Sequence, residues 1–216
     1  MDLYIFDVDG TLTDTNRIDV KCYLRAVGRH IDAERVEPDW SQFQYSTAAG
    51  ITRELLEQFD VDPEDDGVHD AVRQAFRDEL QRAITDGATI TPVPGAADTL
   101  ADLESDPSTG TAIATGDWAP SLHYKLDCAG LTIDDIPYAC SDDALRRAQI
   151  IETARDRARQ THQTAFDRVT YVGDGTWDVR AAGELEIDFI GVDVQGDGER
   201  LRGAGAERVV GDLYGL

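Results

Sequence analysis

The chain has 216 residues, with 43 acidic and 20 basic side chains and a formal net charge of −23. This charge excludes nucleic acid and anionic membranes as partners, because both are bound through clustered basic side chains. Hydrophobic residues make up 41% of the chain, which is enough for a packed core and too much for a disordered acidic tail.

Cysteine usage and hydropathy predict a cytoplasmic protein. The three cysteines stand far apart and form no CxxC pair, as is typical of a reducing compartment: Cys22, Cys128 and Cys140. No apolar run approaches the roughly 20 residues of a membrane span. The acidic N-terminus lacks the basic start of a secretory signal, so we expect neither export nor a membrane partner.

Lysine is nearly absent from the chain. Lys21 and Lys125 are the only lysines, against 18 arginines. A surplus of acid with scarce lysine resembles the proteins of extreme halophiles, in whose molar-salt cytosol the Debye length falls to roughly 3 Å. We therefore expect a halophilic protein in which most carboxylates serve solubility rather than chemistry.

Short apolar runs that end in glycine or aspartate predict strands. The strong ones are residues 2–8, 111–115, 169–172 and 187–194, and the weaker ones are residues 136–140 and 208–210. Helical patterns separate these runs, and this alternation indicates a parallel sheet covered on both faces. The predicted fold is α/β, with a doubly wound, Rossmann-like core.

The segment after the first strand carries helical patterns and no strand signal. Residues 18–31 and 68–84 have apolar side chains at i, i+3 and i+4 spacing. This pattern predicts a helical module inserted into the α/β core. We assign residues 17–87 to the inserted domain, and residues 1–16 and 88–216 to the core.

Polar side chains follow the predicted strands, where ligands of open α/β sheets bind. Asp7 and Asp9 lie at the exit of the first strand, and Asp174 follows the run at 169–172. Together these carboxylates would form an oxygen-rich, histidine-free cluster that suits Mg²⁺. Thr115 and Gly116, after the second strong run, offer a hydroxyl and open N–H groups that suit a phosphate oxygen.

In this order the motifs resemble those of the haloacid dehalogenase superfamily. Its signature combines DxDGT, a Ser or Thr ending a second strand, a later Lys or Arg, and GDxxxD. The matching segments are Asp7-Val-Asp9-Gly10-Thr11, Thr115-Gly116, a basic residue at 146–147, and Gly173-Asp174-Gly-Thr-Trp-Asp178. They are spread over most of the chain, and the inserted helices lie where this family places a small helical cap.

The resemblance implies a role for each aspartate. Asp7 would be the nucleophile that forms an aspartyl-phosphate, and Asp9 the general acid/base, with a pKa above that of Asp7. Mg²⁺ would be held by Asp7, the main-chain carbonyl of Asp9, and Asp174. Asp178 would contribute to the metal site without binding the ion directly, either through a water molecule or by orienting the ligands.

The resemblance also requires a basic residue near the nucleophile. Most relatives use lysine, but Lys21 falls in the inserted domain and Lys125 follows the second strand too soon. The segment at 141–150 resembles a subset of the family in which arginine fills this role. Arg147 fits the spacing and would bind phosphate with Thr115 and Gly116, and Arg146 is the alternative.

The cap would close over the site, exclude water and select the substrate. Residues 13–16 and 91–94 would be its two hinges. Within the cap, residues 44–50 resemble the substrate-facing loop of the family, with Thr47 as a substrate contact; an ordinary helix–helix turn is the alternative. Gly10 is a second candidate for a substrate contact.

The leading hypothesis is a Mg²⁺-dependent phosphatase acting on a small phosphorylated metabolite, similar to phosphoglycolate phosphatases. The alternatives are a mutase of the β-phosphoglucomutase type, a receiver-like phospho-accepting switch and a non-catalytic binding protein. A dehalogenase would lack Asp9, and a phosphonate hydrolase would need a cap lysine, for which Lys21 is the sole candidate. The sequence leaves the substrate open and carries no signal for the oligomeric state.

Overall fold

Six parallel strands form one sheet, in the order β3-β2-β1-β4-β5-β6. The computed structural model describes residues 1–216 and assigns the strands as β1 (Asp2–Phe6), β2 (Thr109–Ala114), β3 (Tyr138–Ala139), β4 (Arg168–Gly173), β5 (Asp188–Val192) and β6 (Arg208–Val210). Strand β1 lies between β2 and β4, with Phe6 opposite Ile113 and Val172. The strand order reverses between β1 and β4, so a ligand crevice is expected beyond their carboxyl ends.

The chain between and after the strands forms eight α-helices. They are α1 (Asn16–Val27), α2 (Ala48–Gln58), α3 (Asp66–Thr85), α4 (Ala96–Ser105), α5 (Ala119–Ala129), α6 (Arg147–His162), α7 (Thr176–Glu184) and α8 (Glu199–Gly203). None of them combines the length and the apolar composition needed to cross a bilayer.

Both faces of the sheet are buried. Phe6 belongs to a cluster of 17 buried side chains that includes residues of α4 and α5. Its neighbour Ile5 points to the opposite face and joins a cluster of 13 that includes residues of α6 and α7. This two-sided burial explains why the strands read as continuous apolar runs. The predicted doubly wound α/β fold is confirmed.

Helices α1, α2 and α3 form a separate layer above the carboxyl edge of the sheet, which we call the cap. They pack around their own cluster of 13 buried residues, to which Trp118 of the core also contributes. The two chain segments that lead into and out of the cap run side by side. The N–H of Asp14 donates to the carbonyl of Thr91, and that of Val93 donates to Leu12, both at 2.9 Å.

The acidic residues divide into a large surface set and a small buried set. Of the 43 acidic residues, five are buried: Asp7, Glu79, Asp117, Asp174 and Asp178. Glu79 pairs inside the cap with Arg29 and Arg82. The other four buried carboxylates lie at or just beyond the carboxyl ends of strands β1, β2 and β4.

Candidate active site

A tight turn after β1 passes close to Asp174 at the end of β4. The carbonyl of Val8 accepts hydrogen bonds from the N–H groups of Thr11, Leu12 and Thr13. Gly10 has a φ of +79°, and a Cβ at this position would lie 2.2 Å from Oδ2 of Asp174. Only glycine allows the turn to pass this close to Asp174.

Three carboxylates converge beside this turn. Asp7, Asp174 and Asp178 each offer an oxygen, and these oxygens lie within 4.8 Å of one another. Asp174 Oδ2 accepts a hydrogen bond of 2.8 Å from Asn16 Nδ2. Burial raises the pKa of Asp174 to about 7, and the negative charge of Asp178 adds to this shift.

The carboxylate of Asp178 is fixed by hydrogen bonds from the protein interior. It is fully buried, and it accepts hydrogen bonds from the Tyr171 hydroxyl at 3.1 Å and the Gly175 N–H at 2.9 Å. Both of its oxygens are therefore engaged by the protein, which suits a group that orients the other carboxylates.

The cluster fits a hard divalent cation. All its donors are carboxylate oxygens, with no histidine or cysteine, and this donor set is the one that Mg²⁺ prefers. Burial raises the pKa of Asp7 well above its usual value, with Arg147 opposing the shift and the neighbouring carboxylates adding to it. A bound cation would favour the ionised form of these acids.

Arg147 lies against the nucleophile candidate. Its Nη1 donates to Asp7 Oδ1 at 2.8 Å, and its Nε lies 3.5 Å from Asp178 Oδ1. Its Nη2 donates to the carbonyl of Ser46 in the cap at 2.9 Å. Arg146 instead forms a half-exposed ion pair with Glu184. Of the two arginines weighed from the sequence, Arg147 is the one at the site.

The end of β2 passes close to Arg147. A Cβ on Gly116 would lie 2.8 Å from the main-chain carbonyl of Ser46 and 2.7 Å from Nη2 of Arg147, so glycine lets β2 approach both. Thr115 is buried beside it, and its hydroxyl accepts the N–H of Asp117 at 3.2 Å. Both Thr115 and Gly116 line the same cavity as Asp7.

Thr47 anchors the cap to the core. Its hydroxyl donates to the carbonyl of Leu145 at 2.7 Å and accepts the N–H of Gly50, which caps α2. The next N–H, of Ala48, donates to the carbonyl of Gly116 at 2.7 Å. Thr47 lines the cavity, but its hydroxyl is already engaged in these two hydrogen bonds.

Lys125 is a site residue that the spacing argument missed. It is fully buried on α5, and its ammonium lies 2.7 Å from Asp9 Oδ1 and 2.8 Å from Asp117 Oδ2. It also pairs with Asp19 of cap helix α1 at 2.5 Å. A sequence signal was available, because Leu122, Lys125 and Leu126 share the buried side of α5. A lysine among buried apolar positions requires charged partners.

Lys125 determines the ionisation of Asp9. Burial alone would raise the pKa of Asp9, but the charge of Lys125 and the hydrogen bonds around the carboxylate hold it below its usual value. Thr15 donates one of these bonds at 2.5 Å. The protein's own groups therefore lower the pKa of Asp9 while burial raises that of Asp7, which are directions opposite to the order expected from the sequence.

The site residues other than Asp178 face one cavity of about 340 Å³ between the cap and the sheet edge. Its core side carries four carboxylates and three cationic side chains: Asp7, Asp9, Asp117, Asp174, Lys125, Arg147 and Arg200. The arrangement combines an acidic cluster, a guanidinium on one of its carboxylates, and a separate carboxylate held by an ammonium.

Comparison with known proteins identifies the family. A sequence model of haloacid dehalogenase-like hydrolases matches residues 1–185. A hydrolase from Pseudomonas syringae has a TM-score of 0.75 at 23% identity, over 99% of this chain and 94% of that one. CbbY from Rhodobacter sphaeroides in complex with phosphate has a TM-score of 0.72 at 20% identity, over 99% and 95%. A mutant of CbbY in complex with xylulose-1,5-bisphosphate has a TM-score of 0.71 at 19% identity, with the same coverage.

No curated protein matches the chain by sequence. The family match over residues 1–185 nevertheless shows that the chain belongs to the haloacid dehalogenase-like hydrolases and is an enzyme. The family expected from the motifs is confirmed, and the similar structures share its fold.

The acidic cluster predicts stabilisation by Mg²⁺. Excess Mg²⁺ should raise the melting temperature over that in a chelator, since a ligand at 100 times its Kd adds about 2.7 kcal/mol to the free energy of unfolding. In Asp174→Asn the rise should be largely lost, because one of the three converging carboxylates is removed. Differential scanning calorimetry at constant ionic strength measures both shifts.

The control for this experiment is Asp102→Asn, which removes the same charge from an exposed position on α4. It should respond to Mg²⁺ as the wild type does. An equal rise in Asp174→Asn, or no rise in the wild type, would contradict a metal site at the cluster.

Lys125→Met should destabilise the protein by about 3–5 kcal/mol, because Asp9, Asp19 and Asp117 lose their shared cation. The pKa values of the three carboxyls should rise in the folded variant. The loss of stability should therefore be small at low pH and grow as pH rises through those values. Urea unfolding at two pH values measures this, with Lys21→Met, at the exposed second lysine, as the control. Equal stability of the two variants would refute Lys125 as the cation that stabilises the three carboxylates.

Proposed function

We propose that this hydrolase cleaves phosphate monoesters of small metabolites, with Asp7 as the nucleophile and Mg²⁺ as the cofactor. The contact between Arg147 Nη1 and Asp7 Oδ1, at 2.8 Å beside the acidic cluster, is the observation that carries this proposal. An arginine on the nucleophilic carboxylate holds it in place and can bind the phosphate that approaches it.

The first step transfers the phosphoryl group to Asp7. An oxygen of the Asp7 carboxylate attacks phosphorus, and the bond between phosphorus and the ester oxygen breaks. The leaving oxygen takes a proton from Asp9, and an aspartyl-phosphate remains on Asp7. A buried nucleophile needs no activating base here, because a carboxylate is already nucleophilic once ionised.

The second step returns Asp7 to its initial form. Asp9, now ionised, accepts a proton from a water molecule whose oxygen attacks the phosphorus of the aspartyl-phosphate. The bond between phosphorus and the Asp7 oxygen breaks, phosphate leaves, and Asp9 is again protonated. An arriving phosphate dianion is a like charge near Asp9, which raises the pKa of Asp9 and opposes the lowering by Lys125.

The cofactor would be held by Asp7, Asp174 and the main-chain carbonyl of Asp9, with Asp178 orienting these ligands. Lys125 and Thr15 both bind Asp9 through Oδ1, and the family resemblance assigns the main-chain carbonyl of Asp9 to the metal. When bound, Mg²⁺ supplies positive charge that offsets the repulsion between the carboxylate and the phosphate.

Thr115, Gly116 and Arg147 would bind the phosphate oxygens. Arg147 is nearly buried, and its fork-shaped guanidinium faces Asp7 and Ser46. The fold shared with CbbY, which was solved with phosphate and with xylulose-1,5-bisphosphate, supports a phosphate ester as the substrate. No observation on the cap favours a mutase over a hydrolase.

Asp7→Asn tests the nucleophile. The wild type should hydrolyse p-nitrophenyl phosphate in the presence of Mg²⁺ and high salt. The rate should fall at least about a thousandfold in Asp7→Asn, because an amide oxygen cannot form the aspartyl-phosphate. Release of p-nitrophenolate is followed by absorbance, with Asp102→Asn as the matched control. Retained hydrolysis in a folded Asp7→Asn protein would refute the assignment.

Arg147→Ala tests the phosphate site. We expect the KM for p-nitrophenyl phosphate and the inhibition constant of inorganic phosphate to rise about 10-fold or more, since a charge-assisted hydrogen bond is worth about 1.5–3 kcal/mol. Arg146→Ala removes a neighbouring arginine from the surface and should leave both constants near their wild-type values. The reverse ranking would assign the role to Arg146.

A further inference from the structure

The cap wall of the cavity consists mostly of hydrocarbon and aromatic surface, and its polar residues are Asn16, Asp19, Ser46 and Thr47. Val20 and Tyr23 of α1, Trp40, Ile51 of α2 and Phe76 of α3 line it. Tyr23 stands edge-on to Trp40, with ring centroids 5.5 Å apart, and to Phe76 at 6.1 Å.

The polar end of Tyr23 belongs to the interior of the cap. Its hydroxyl shares a hydrogen bond of 2.8 Å with Thr52 Oγ1, and Thr52 is fully buried. The phenol therefore offers ring surface rather than a hydrogen-bonding group at the cavity wall.

The cationic side chains that line the cavity are all on its core side. They are Lys125, Arg147 and Arg200. Lys125 is surrounded by three carboxylates, and Arg147 is bonded to Asp7 and the Ser46 carbonyl. Arg200, from α8, donates to the main-chain carbonyl of Asp174 at 2.8 Å.

The single charged side chain that the cap contributes to this cavity is an acid. Asp19 of α1 lines the cavity and is paired with Lys125. A carboxylate or a second phosphate directed at the cap would therefore meet an apolar wall and no cation of the cap. Burying an anion without a partner costs several kcal/mol.

An apolar group at the same place would be stabilised. Contact with the wall removes apolar surface from water, worth about 25 cal/mol per Å². Aromatic groups can also adopt edge-to-face contacts with Trp40 and Phe76, which add about 0.5–1.5 kcal/mol per pair.

We propose that the cavity selects phosphate monoesters whose leaving group is uncharged and apolar, and that it rejects esters with a second anionic group. This specificity rests on the proposed phosphatase function, since it assumes that the phosphate binds at Asp7 and Arg147. It disfavours phosphoglycolate and sugar bisphosphates, whose second anionic group would face the cap.

The test compares two phosphonates that share a phosphonomethyl group. Benzylphosphonate carries a phenyl ring where phosphonoacetate carries a carboxylate, and neither can be hydrolysed at an ester bond. Isothermal titration calorimetry with Mg²⁺ present should show benzylphosphonate binding at least about tenfold more tightly, as expected from apolar burial against an unpaired charge. Equal affinities, or tighter binding of phosphonoacetate, would overturn the proposal.

Two variants test whether the preference for benzylphosphonate arises from the cap wall of the cavity. Trp40→Ala should weaken benzylphosphonate binding and leave the affinity for inorganic phosphate unchanged. Val20→Lys puts a cation on the half-buried α1 position at the cavity and should strengthen phosphonoacetate binding. Gln58→Lys, at an exposed position of α2, adds the same charge away from the cavity and is the control. An equal gain in both lysine variants would indicate a general charge effect and contradict the proposal.

Failure of this specificity is distinguishable from failure of the proposed function. Hydrolysis of p-nitrophenyl phosphate by the wild type, lost in Asp7→Asn, supports the phosphatase whichever phosphonate binds better. A phosphatase that prefers phosphonoacetate would refute the specificity alone. A folded protein without hydrolysis would refute the proposed function, while the calorimetric ranking would still report on the cavity wall.

Discussion

Carboxylates crowded at one edge of the sheet are the constraint around which this enzyme is built. Burial raises the pKa values of Asp7, Asp174 and Asp178, because water no longer solvates their charges. Parallel strands bring them together, since the neighbouring strands β1 and β4 end at the same edge of the sheet. Such a cluster persists only if cations lie within it.

Two cationic side chains neutralise these carboxylates. Arg147 lies between Asp7 and Asp178, and Lys125 lies between Asp9, Asp19 and Asp117. The two carboxylates of the DxD motif therefore have separate partners, one guanidinium and one ammonium. Burial outweighs Arg147 and raises the pKa of Asp7, whereas Lys125 and the surrounding hydrogen bonds outweigh burial and lower the pKa of Asp9.

Both cations also reach the cap. Arg147 donates to the Ser46 carbonyl, and Lys125 pairs with Asp19. The position of the cap is thus linked to the same charges that hold the two aspartates. The Thr47 hydroxyl and the Ala48 N–H add two hydrogen bonds to main-chain carbonyls of the core at this junction.

Much of the fold and part of the site followed from sequence. Apolar runs located the strands because both faces of the sheet are covered, and the motif order indicated that Asp7, Asp174 and Arg147 converge. Lys125 lies too close to β2 along the chain to match the basic residue of the family motif, so the motif did not predict it. Its position on the buried side of α5 is what brings it to the site. The pKa order of Asp7 and Asp9 depends on that lysine, so it could not be predicted without the tertiary contact.

Nucleophilic attack by Asp7 is tested most directly by trapping the aspartyl-phosphate. Wild-type protein mixed with p-nitrophenyl phosphate and Mg²⁺ is quenched with sodium borohydride, which reduces an acyl-phosphate to the corresponding alcohol. Mass spectrometry should find this reduction at Asp7, and only when substrate is present. Reduction at another carboxylate, or none at all during active hydrolysis, would contradict Asp7 as the nucleophile.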